Sequence, residues 1–236
     1  MSDHEAFLRE FHSRHAGITA RAMERGGSYD RLAERAGTGR VLDLACGDGA
    51  LLARLPPTAL GIDISTEELA AARPRRTVQG RAQQLPFADG SFDAVASHLA
   101  FMLFDDIERV IAELHRVLVP GGRFIALLGG GPTADGDDAF HALVNLLPPS
   151  TRRFGDPRAK TEAGWRTLFA GWSEPVFERW ELDLGGSFEE VWAFLGASYQ
   201  LDDASAAAIR AELRKRYAGV ARVPCSVVTF CAEVIR

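Results

Sequence analysis

Short apolar runs alternate with amphipathic segments along the first 130 residues. Apolar runs of about four to eight residues predict buried strands, and apolar positions three and four apart predict helices that lie on a sheet. Strands are expected over 40–45 (RVLDLA), 59–64 (ALGIDI), 76–81 (RTVQGR, a weak run), 92–98 (FDAVASH) and 119–129 (VPGGRFIALLG). Strands that alternate with helices predict an α/β fold with a parallel, doubly wound, Rossmann-like sheet.

The helices between these strands follow from the same patterns. They are expected over 4–25, 28–37, 47–55, 65–73 and 105–118. The clearest apolar stripe belongs to 105–118, and it consists of Ile107, Val110, Ile111, Leu114, Val117 and Leu118. Residues 65–73 open with a capping box, in which the side chains of Ser65 and Glu68 satisfy backbone donors at the helix start.

The pattern loosens after Leu128. The glycine-rich stretch 129–138 (GGGPTADGDD) predicts a mobile connection, and 148–175 has no clear period. Three further helices are expected over 139–147, 187–199 and 204–219, with strands over 176–184 and 225–235. Because no helix follows 225–235, this last strand is expected to enter the sheet antiparallel.

Composition narrows the class of protein. The chain has 236 residues, 47% of them hydrophobic, and a formal net charge of -5, which argues against a nucleic-acid partner held by phosphate neutralisation. Three cysteines without a CxxC pair predict neither disulfides nor a metal site, and they fit the cytoplasm. No apolar stretch is long enough for a membrane span, and no signal peptide is recognisable. A cytoplasmic monomer or homodimer is expected.

A glycine loop and an acid mark the predicted ligand site. The loop ACGDG follows the first strand, and Asp63 ends the second strand, 20 residues after Asp43. Ligands of doubly wound sheets bind outside the carboxyl ends of the strands, and glycines let the backbone approach them closely. A carboxylate at Asp63 can accept both hydroxyls of a ribose, which predicts a nucleoside ligand.

Two nucleoside cofactors compete for this site. The dinucleotide fingerprint GxGxxG fails in both registers, because its third glycine falls on Leu52 when read from Gly47, and its first is Ala45 in the other register. A buried Asp43 would repel phosphates and attract an ammonium or a sulfonium. S-adenosylmethionine carries both groups. Asp43 is therefore expected to hold the cationic end of that cofactor or to order the loop amides, and the two roles can coexist.

Four successive segments strengthen this interpretation. VLDLACGDG, GIDIS, LPFADGSFDAVASH and LHRVLVPGGRFIALL resemble, in order and spacing, the motifs of class I S-adenosylmethionine-dependent methyltransferases of the small-molecule, UbiE-like type, over roughly 39–128. The resemblance implies a seven-stranded sheet with an antiparallel last strand and a helical cap. It also implies methyl transfer to a small molecule by in-line displacement, with oxygen preferred over nitrogen or carbon as the acceptor.

The resemblance also assigns one domain over 1–236 and its cofactor-binding residues. The parts of the domain are cap helices 1–36, a cofactor-binding core 37–130, a lid or insertion 131–175, and C-terminal strands with two inserted helices 176–236. The matching cofactor-binding positions are Asp43, Ala45, Gly47, Gly49, Asp63, Ile64, Ala82, Gln83 and Ser97. The glycine loop is expected to wrap the methionine part, Asp63 to bind the ribose, and Ile64 to contact the adenine.

One position departs from the family. Arg81 stands where members often have an acid that accepts from the adenine amino group. Arginine has no acceptor, so Gln83 or the backbone is expected to take over, with Ala82 and Gln83 nearest the adenine.

Candidate residues for the acceptor side are less constrained. His98 ends the fourth strand beside Ser97, and it is a candidate base or simply a histidine bonded to backbone. His12 and His15 share a helical face that meets either the ligand or solvent. Phe101 and Met102 in LAFMLF (99–104) are expected to contact the substrate. The aromatic residues of the two later helices lie in the cleft or in the core; they are Phe188, Trp192 and Tyr199.

Two other functions stay open at this point. A non-catalytic protein that binds S-adenosylmethionine would keep the same motifs, and Arg81 makes it conceivable. A nicotinamide-dependent oxidoreductase would have the same fold, but it would need the dinucleotide fingerprint that this chain lacks. Cofactor titration separates these alternatives.

Overall fold

The seven predicted strands form one sheet in the computed structural model, which describes residues 17–73, 76–133, 136–148, 155–199 and 201–236. The strands are β1 Val41–Leu44, β2 Leu60–Asp63, β3 Thr77–Gln79, β4 Phe92–His98, β5 Leu118–Gly131, β6 Val176–Asp183 and β7 Ser226–Ile235. Their order across the sheet is β3-β2-β1-β4-β5-β7-β6. β1 to β5 run parallel, and β7 runs antiparallel to both β5 and β6, which confirms the expected direction of the last strand.

Helices cover both faces of this sheet. Those described are α1 Ile18–Arg25, α2 Ser28–Ala36, α3 Thr66–Ala71, α4 Ile107–Val117, α5 Ala139–Leu146, α6 Glu162–Leu168, α7 Phe188–Ala197 and α8 Asp203–Arg216. Helices α1, α2, α5, α7 and α8 contribute to the core on one face, and α4 and α6 contribute to the core on the other. Since side chains alternate along each strand, Ala94 and Ala96 of β4 face the first layer, whereas Val95 faces the second.

The stripe predicted for 105–118 is confirmed in α4. Ile107, Val110, Ile111, Leu114 and Val117 are all buried against the sheet. Leu118 is buried as well, but it is the first residue of β5, because the chain turns directly from the helix into the strand.

The helix predicted over 47–55 is wrong. Residues 47–55 form successive turns, in which Ala53 donates to the Gly49 carbonyl and Arg54 to the Leu51 carbonyl, both at 2.9 Å. Gly49 has a φ of 82°, and Pro56 and Pro57 follow, so few residues are left to extend a helix. The leucines of this segment are still buried, which explains their helix-like spacing; they are Leu51, Leu52 and Leu55.

The prediction of a connection over 129–138 is wrong for its first three residues. Gly129 to Gly131 extend β5, where Gly129 pairs with Thr229 and Gly131 with Val228 of β7. A Cβ at Gly130 would lie 2.8 Å from the Phe230 ring. Close packing against β7 therefore explains glycine at this position, and the pairing partner is 100 residues away in the sequence.

An aromatic cluster fills the second layer and includes a residue predicted to meet the substrate. Trp165 of α6 stacks on Phe124 of β5 at 5.7 Å between centroids, and its Nε1 donates to the Ala159 carbonyl at 2.8 Å. Phe101 lies fully buried between them, 4.9 Å from Phe124 and 5.4 Å from Trp165. The structure thus places Phe101 in the core, and it builds helix α6 in a region where the sequence showed no period.

The aromatic residues of the later helices pack against the first layer. Phe188, Trp192 and Tyr199 are partly buried hydrophobic residues in contact with that core cluster, and Tyr199 meets Phe140 edge to face at 6.3 Å. The structure therefore favours the core interpretation of these residues over the cleft interpretation.

One buried acid attaches the cap helix α5 to the sheet. Asp138 is 7% exposed, and its Oδ1 accepts from the amides of Phe140 and His141 at 3.0 and 3.1 Å. Its Oδ2 accepts from the amide of Ser226 at the start of β7. A single side chain therefore caps the helix and joins it to a strand.

We expect Asp138→Ala to lower the free energy of unfolding by about 3 kcal/mol, because it removes a cap and leaves a buried amide without a partner. The matched control is Asp202→Ala, which removes an exposed cap from α8 and should lower it by about 1 kcal/mol. Urea denaturation measures both values. Equal losses would show that the bond to Ser226 contributes nothing.

Candidate active site

Three strand ends meet where the strand order reverses. β1 lies between β2 and β4, and the chain winds toward β3 on one side and toward β5 on the other. In doubly wound sheets, ligands bind in the crevice outside the carboxyl ends at this switch point. Asp43 lies near the end of β1, Asp63 ends β2 and His98 ends β4.

A cleft with about 500 Å³ of empty space, part of it open to solvent, lies at these strand ends. Five residues that the sequence predicted for the cofactor line it together: Ala45, Asp63, Ile64, Ala82 and Gln83. The rest of the lining is Leu44, Ile62, Gly80, Arg81, Leu103, Phe104 and Asp105.

The glycine loop after β1 bends sharply below this cleft. Ala45, Gly47 and Gly49 have φ values of 61°, 52° and 82°, the left-handed region that glycine enters without a steric penalty. A Cβ on Gly49 would lie 3.3 Å from the backbone of Arg73, so a side chain there would also be crowded. Ala45 is the strained member, because it carries a Cβ in the same conformation.

Asp63 connects the second strand to this loop. Its Oδ2 accepts from the amide of Gly47, and its Oδ1 accepts from the amide of Ser65, both at 2.8 Å. These two bonds fix the carboxylate at the end of β2, where it lines the cleft. The acid predicted to bind the ribose is thus also a structural connection between two strand ends.

Asp43 is buried at the centre of the sheet. It is 1% exposed, and no described donor meets full hydrogen-bond geometry at its carboxylate oxygens, although the backbone of Leu52 lies close enough to lower the pKa of the group. Burial, with a smaller contribution from the negative charge of Asp63, raises the pKa of Asp43 to about 8. A carboxyl group of this kind is poised to ionise when a cation approaches.

His98 lies on the same sheet face as Asp43 and contacts helix α2. Its Nε2 is 2.8 Å from the Ser28 hydroxyl, and its ring stacks on Tyr29 with centroids 4.1 Å apart. Burial lowers the pKa of His98 to about 3, so the ring is neutral at pH 7. Its bonding partner is a hydroxyl of the cap, which the sequence did not reveal.

The remaining predicted residues are dispersed. Ser97 is buried on the opposite sheet face from His98, and its hydroxyl has no partner among the residues that can be described. Met102 Sδ lies 3.2 Å from the amide of Gly129 at the end of β5. His12 and His15 lie outside the described residues. Phe101 is in the aromatic core, away from the cleft.

Residues after β4 were missed as part of the cleft. Leu103, Phe104 and Asp105 line it, although the sequence assigned the run 99–104 to the acceptor. A 3₁₀ turn at Phe101–Leu103 sends neighbouring side chains in different directions. The only signal available was the position of the run after a strand end, and that signal does not say which side chain faces the ligand.

Comparison with known proteins identifies the type of domain. Residues 42–126 match the family described as methyltransferase domain. The chain therefore carries a methyltransferase-type domain over these residues. The match covers β1 to β5, which are the strands that build the cleft.

Curated relatives match the chain over part of their length. An uncharacterised methyltransferase of Synechocystis sp. is 35% identical over 144 residues, 55% of this chain and 60% of the relative. A ubiquinone/menaquinone biosynthesis C-methyltransferase of Desulfotalea psychrophila is 43% identical over 102 residues, 39% of this chain and 42% of the relative. The chain thus aligns with roughly half the length of these two relatives.

A solved structure shares the fold across most of the chain. The YcgJ protein of Bacillus subtilis superposes with a TM-score of 0.58 at 21% identity, over 91% of this chain and 98% of that one. This likeness supports the Rossmann-like fold with its seven-stranded sheet.

The residues of the cleft fit the cofactor of this family, S-adenosylmethionine. Asp63 lines the cleft and suits a ribose diol. Asp43 does not line the cleft, but its buried oxygens suit a cationic group and lie close enough to Asp63 for the two charges to interact. The apolar side chains of the cleft suit the faces of a purine; they are Leu44, Ile62, Ile64, Leu103 and Phe104. The chemistry of the donor set therefore agrees with the family assignment.

We expect Ala45→Gly to raise the free energy of unfolding by about 0.5–1 kcal/mol, because relief of left-handed strain exceeds the entropy cost of glycine. Ala50→Gly in the following turn serves as the control and should lower it, since Ala50 is not among the positive-φ residues. Urea denaturation of both variants tests this. A loss of stability in Ala45→Gly would mean that the Cβ makes contacts that outweigh the strain.

Proposed function

We propose that this methyltransferase transfers a methyl group from S-adenosylmethionine to a small, apolar acceptor by in-line displacement. The observation that carries the proposal is the buried carboxyl of Asp43, without a described partner, beside a cleft that Asp63 lines. When bound, the cofactor supplies a methyl group activated by a positively charged sulfur. The residues of the chain bind and align the reactants.

Three groups of residues bind the three parts of the cofactor. The carboxylate of Asp43 and the backbone of the loop at Gly47 and Gly49 hold the cationic methionine end. Asp63 accepts the ribose hydroxyls, in an orientation fixed by the amides of Gly47 and Ser65. Ile64 and Ala82 contact the adenine.

Alignment accounts for the chemistry better than a base does. His98 is neutral at pH 7 with a pKa of about 3, and the Ser28 hydroxyl already bonds its Nε2. Holding two reactants in line is worth up to about 7–11 kcal/mol in favourable intramolecular reactions. A histidine with so low a pKa is a weak base, so we expect alignment to provide most of the acceleration, and a catalytic role for His98 stays a prediction.

Apolar side chains converge at the neighbouring strand ends, where the acceptor is expected. A Cβ on Gly129 would lie 3.2 Å from Met102 and 3.9 Å from Leu99, so little space separates these groups. This surface supports an apolar ring compound as acceptor. Oxygen is our first choice of acceptor atom, and carbon is the alternative favoured by the Desulfotalea relative, whose name specifies C-methylation in quinone biosynthesis.

We expect calorimetric titration to show micromolar binding of S-adenosylmethionine and S-adenosylhomocysteine and no binding of reduced nicotinamide cofactors. Tight binding of a nicotinamide cofactor alone would overturn the proposal in favour of an oxidoreductase. Binding of S-adenosylmethionine without turnover across a panel of phenolic, quinone and amine acceptors would favour a non-catalytic binding protein.

We expect Asp43→Asn to weaken cofactor binding and, at the same time, to stabilise the free protein. The variant cannot ionise, so it loses the electrostatic contact with the cofactor and should bind S-adenosylmethionine at least about tenfold more weakly. It should also unfold at higher urea at pH 7, because the wild-type group is held far from its ordinary pKa by burial. Asp203→Asn, at an exposed acid in α8, should change neither value. Wild-type affinity in Asp43→Asn would contradict the assignment of Asp43.

Binding should release a proton from Asp43. Because its pKa is about 8 in the free protein, the group is protonated at pH 6.5, and a bound cation favours the carboxylate. We expect the release of close to one proton at pH 6.5 and an affinity that rises with pH toward 8. Calorimetry in two buffers of different ionisation enthalpy measures the proton count. No release in the wild type, or equal release in Asp43→Asn, would contradict this prediction.

A further inference from the structure

The base end of the cleft has a defined set of polar side chains. Four of the residues that line the cleft carry polar side chains: Asp63, Arg81, Gln83 and Asp105. Adenine presents a 6-amino donor, and a donor buried without an acceptor loses affinity. The question is which of these four side chains accepts from it.

Two of them are unsuited to this role. Arg81 has only donors on its side chain. Asp63 is held at the end of β2 by the amides of Gly47 and Ser65, where it serves the ribose. The acceptor is therefore Gln83 or Asp105 among the side chains that line the cleft.

Gln83 is committed to Asp105. It is 7% exposed, and its Nε2 donates to the Asp105 carbonyl at 3.0 Å and to the Asp105 Oδ1 at 2.8 Å. The reversed amide orientation would place Oε1 against two oxygens, so the hydrogen-bond network fixes which end donates. Arg109 Nε also donates to the Gln83 carbonyl at 3.0 Å and holds this segment against α4.

The bonds to Asp105 commit the Nε2 of Gln83 and leave its Oε1 as a neutral acceptor. The carboxylate of Asp105 is the stronger acceptor of the two, because its hydrogen bonds are charge-assisted when it is ionised. Its neighbours Leu103 and Phe104 provide apolar surface for the base. A carboxylate accepts hydrogen bonds and does not donate them when ionised, so it attracts an amino group and repels a carbonyl oxygen.

We propose that Asp105 selects adenine over 6-oxo purines by accepting a hydrogen bond from the 6-amino group, with Gln83 as its positioning residue. This inference rests on the proposed function and deepens it. It assigns the base specificity of the same cleft to a residue that lies outside the four segments that resemble the family motifs. It also explains how the site tolerates Arg81.

The experiment compares S-adenosylhomocysteine with S-inosylhomocysteine, in which oxygen replaces the amino group. By calorimetry, the wild type should bind the adenine form about 10- to 100-fold more tightly, the range of a hydrogen bond to a charged group. In Asp105→Asn the new amide can donate to the oxygen, so this preference should fall to within about threefold of unity.

Asp106→Asn is the matched control. Asp106 is exposed and has a φ of 48°, a conformation that asparagine adopts readily. The same chemical change one residue away should leave the wild-type preference intact. Gln83→Met, which removes the positioning bonds at similar size, should give an intermediate preference.

The outcomes are distinguishable. Equal weakening of both ligands in Asp105→Asn, or a retained preference for adenine, would overturn the role of Asp105. Complete loss of preference in Gln83→Met with none in Asp105→Asn would assign the role to Gln83 instead. A wild type that binds both ligands equally overturns only the base selection, whereas a wild type that binds neither overturns the proposed function itself.

Discussion

The burial of Asp43 is the constraint on which the site depends. The flanking positions Leu42 and Leu44 are apolar and fully buried, and a fourth apolar residue would complete β1 without an electrostatic penalty. The carboxyl instead has a pKa of about 8, because the sheet excludes water around it. A group that weakens the free protein and suits a cation is typical of residues retained for binding, since natural proteins tolerate such losses of stability.

The strand ends around Asp43 also contain strained backbone, which lowers stability and fixes the shape of the loops. Ala45 after β1 and Leu99 after β4 both have positive φ, at 61° and 56°. Such backbone conformations persist only where the surrounding structure enforces them, and they cluster at functional sites. Asp63 supplies part of that enforcement, because its bond to the Gly47 amide holds the loop after β1 against the end of β2. Position and strain are therefore set by contacts between strand ends rather than by the loop sequence alone.

Local patterns predicted most of the sheet, and contacts distant in sequence account for the failures. Buried parallel strands are continuous apolar runs, and α4 keeps its stripe, so both are visible in sequence. The leucines at 51, 52 and 55 gave a helical pattern, yet the glycine before them and the prolines after them allow only turns. Gly129 to Gly131 looked like a loop because their partner strand β7 lies 100 residues away.

The site, like the sheet, was predictable where its residues lie at strand ends and not where they come from turns or separate helices. Asp43, Ala45 and Asp63 lie at or directly after the ends of neighbouring strands, so the switch point alone brings them together. Asp105 reaches the cleft through the 3₁₀ turn after β4, and Ser28 reaches His98 from a separate helix, and neither has a local signature. Phe101 and Leu103 belong to one apolar run, but one is core and the other lines the cleft, because a tight turn separates their directions.

Helix α2 covers the sheet face that holds Asp43 and His98. Helix α2 places Ser28 on His98 and stacks Tyr29 against the same ring. Burial, and then the negative charges of Asp48 and Asp43, raise the pKa of Tyr29, so its hydroxyl stays neutral next to the loop. These contacts exclude water from the sheet face that holds Asp43, and exclusion of water is what raises the affinity of a carboxylate for a cation. Helix α2 therefore contributes to the electrostatics of the buried Asp43 beneath it.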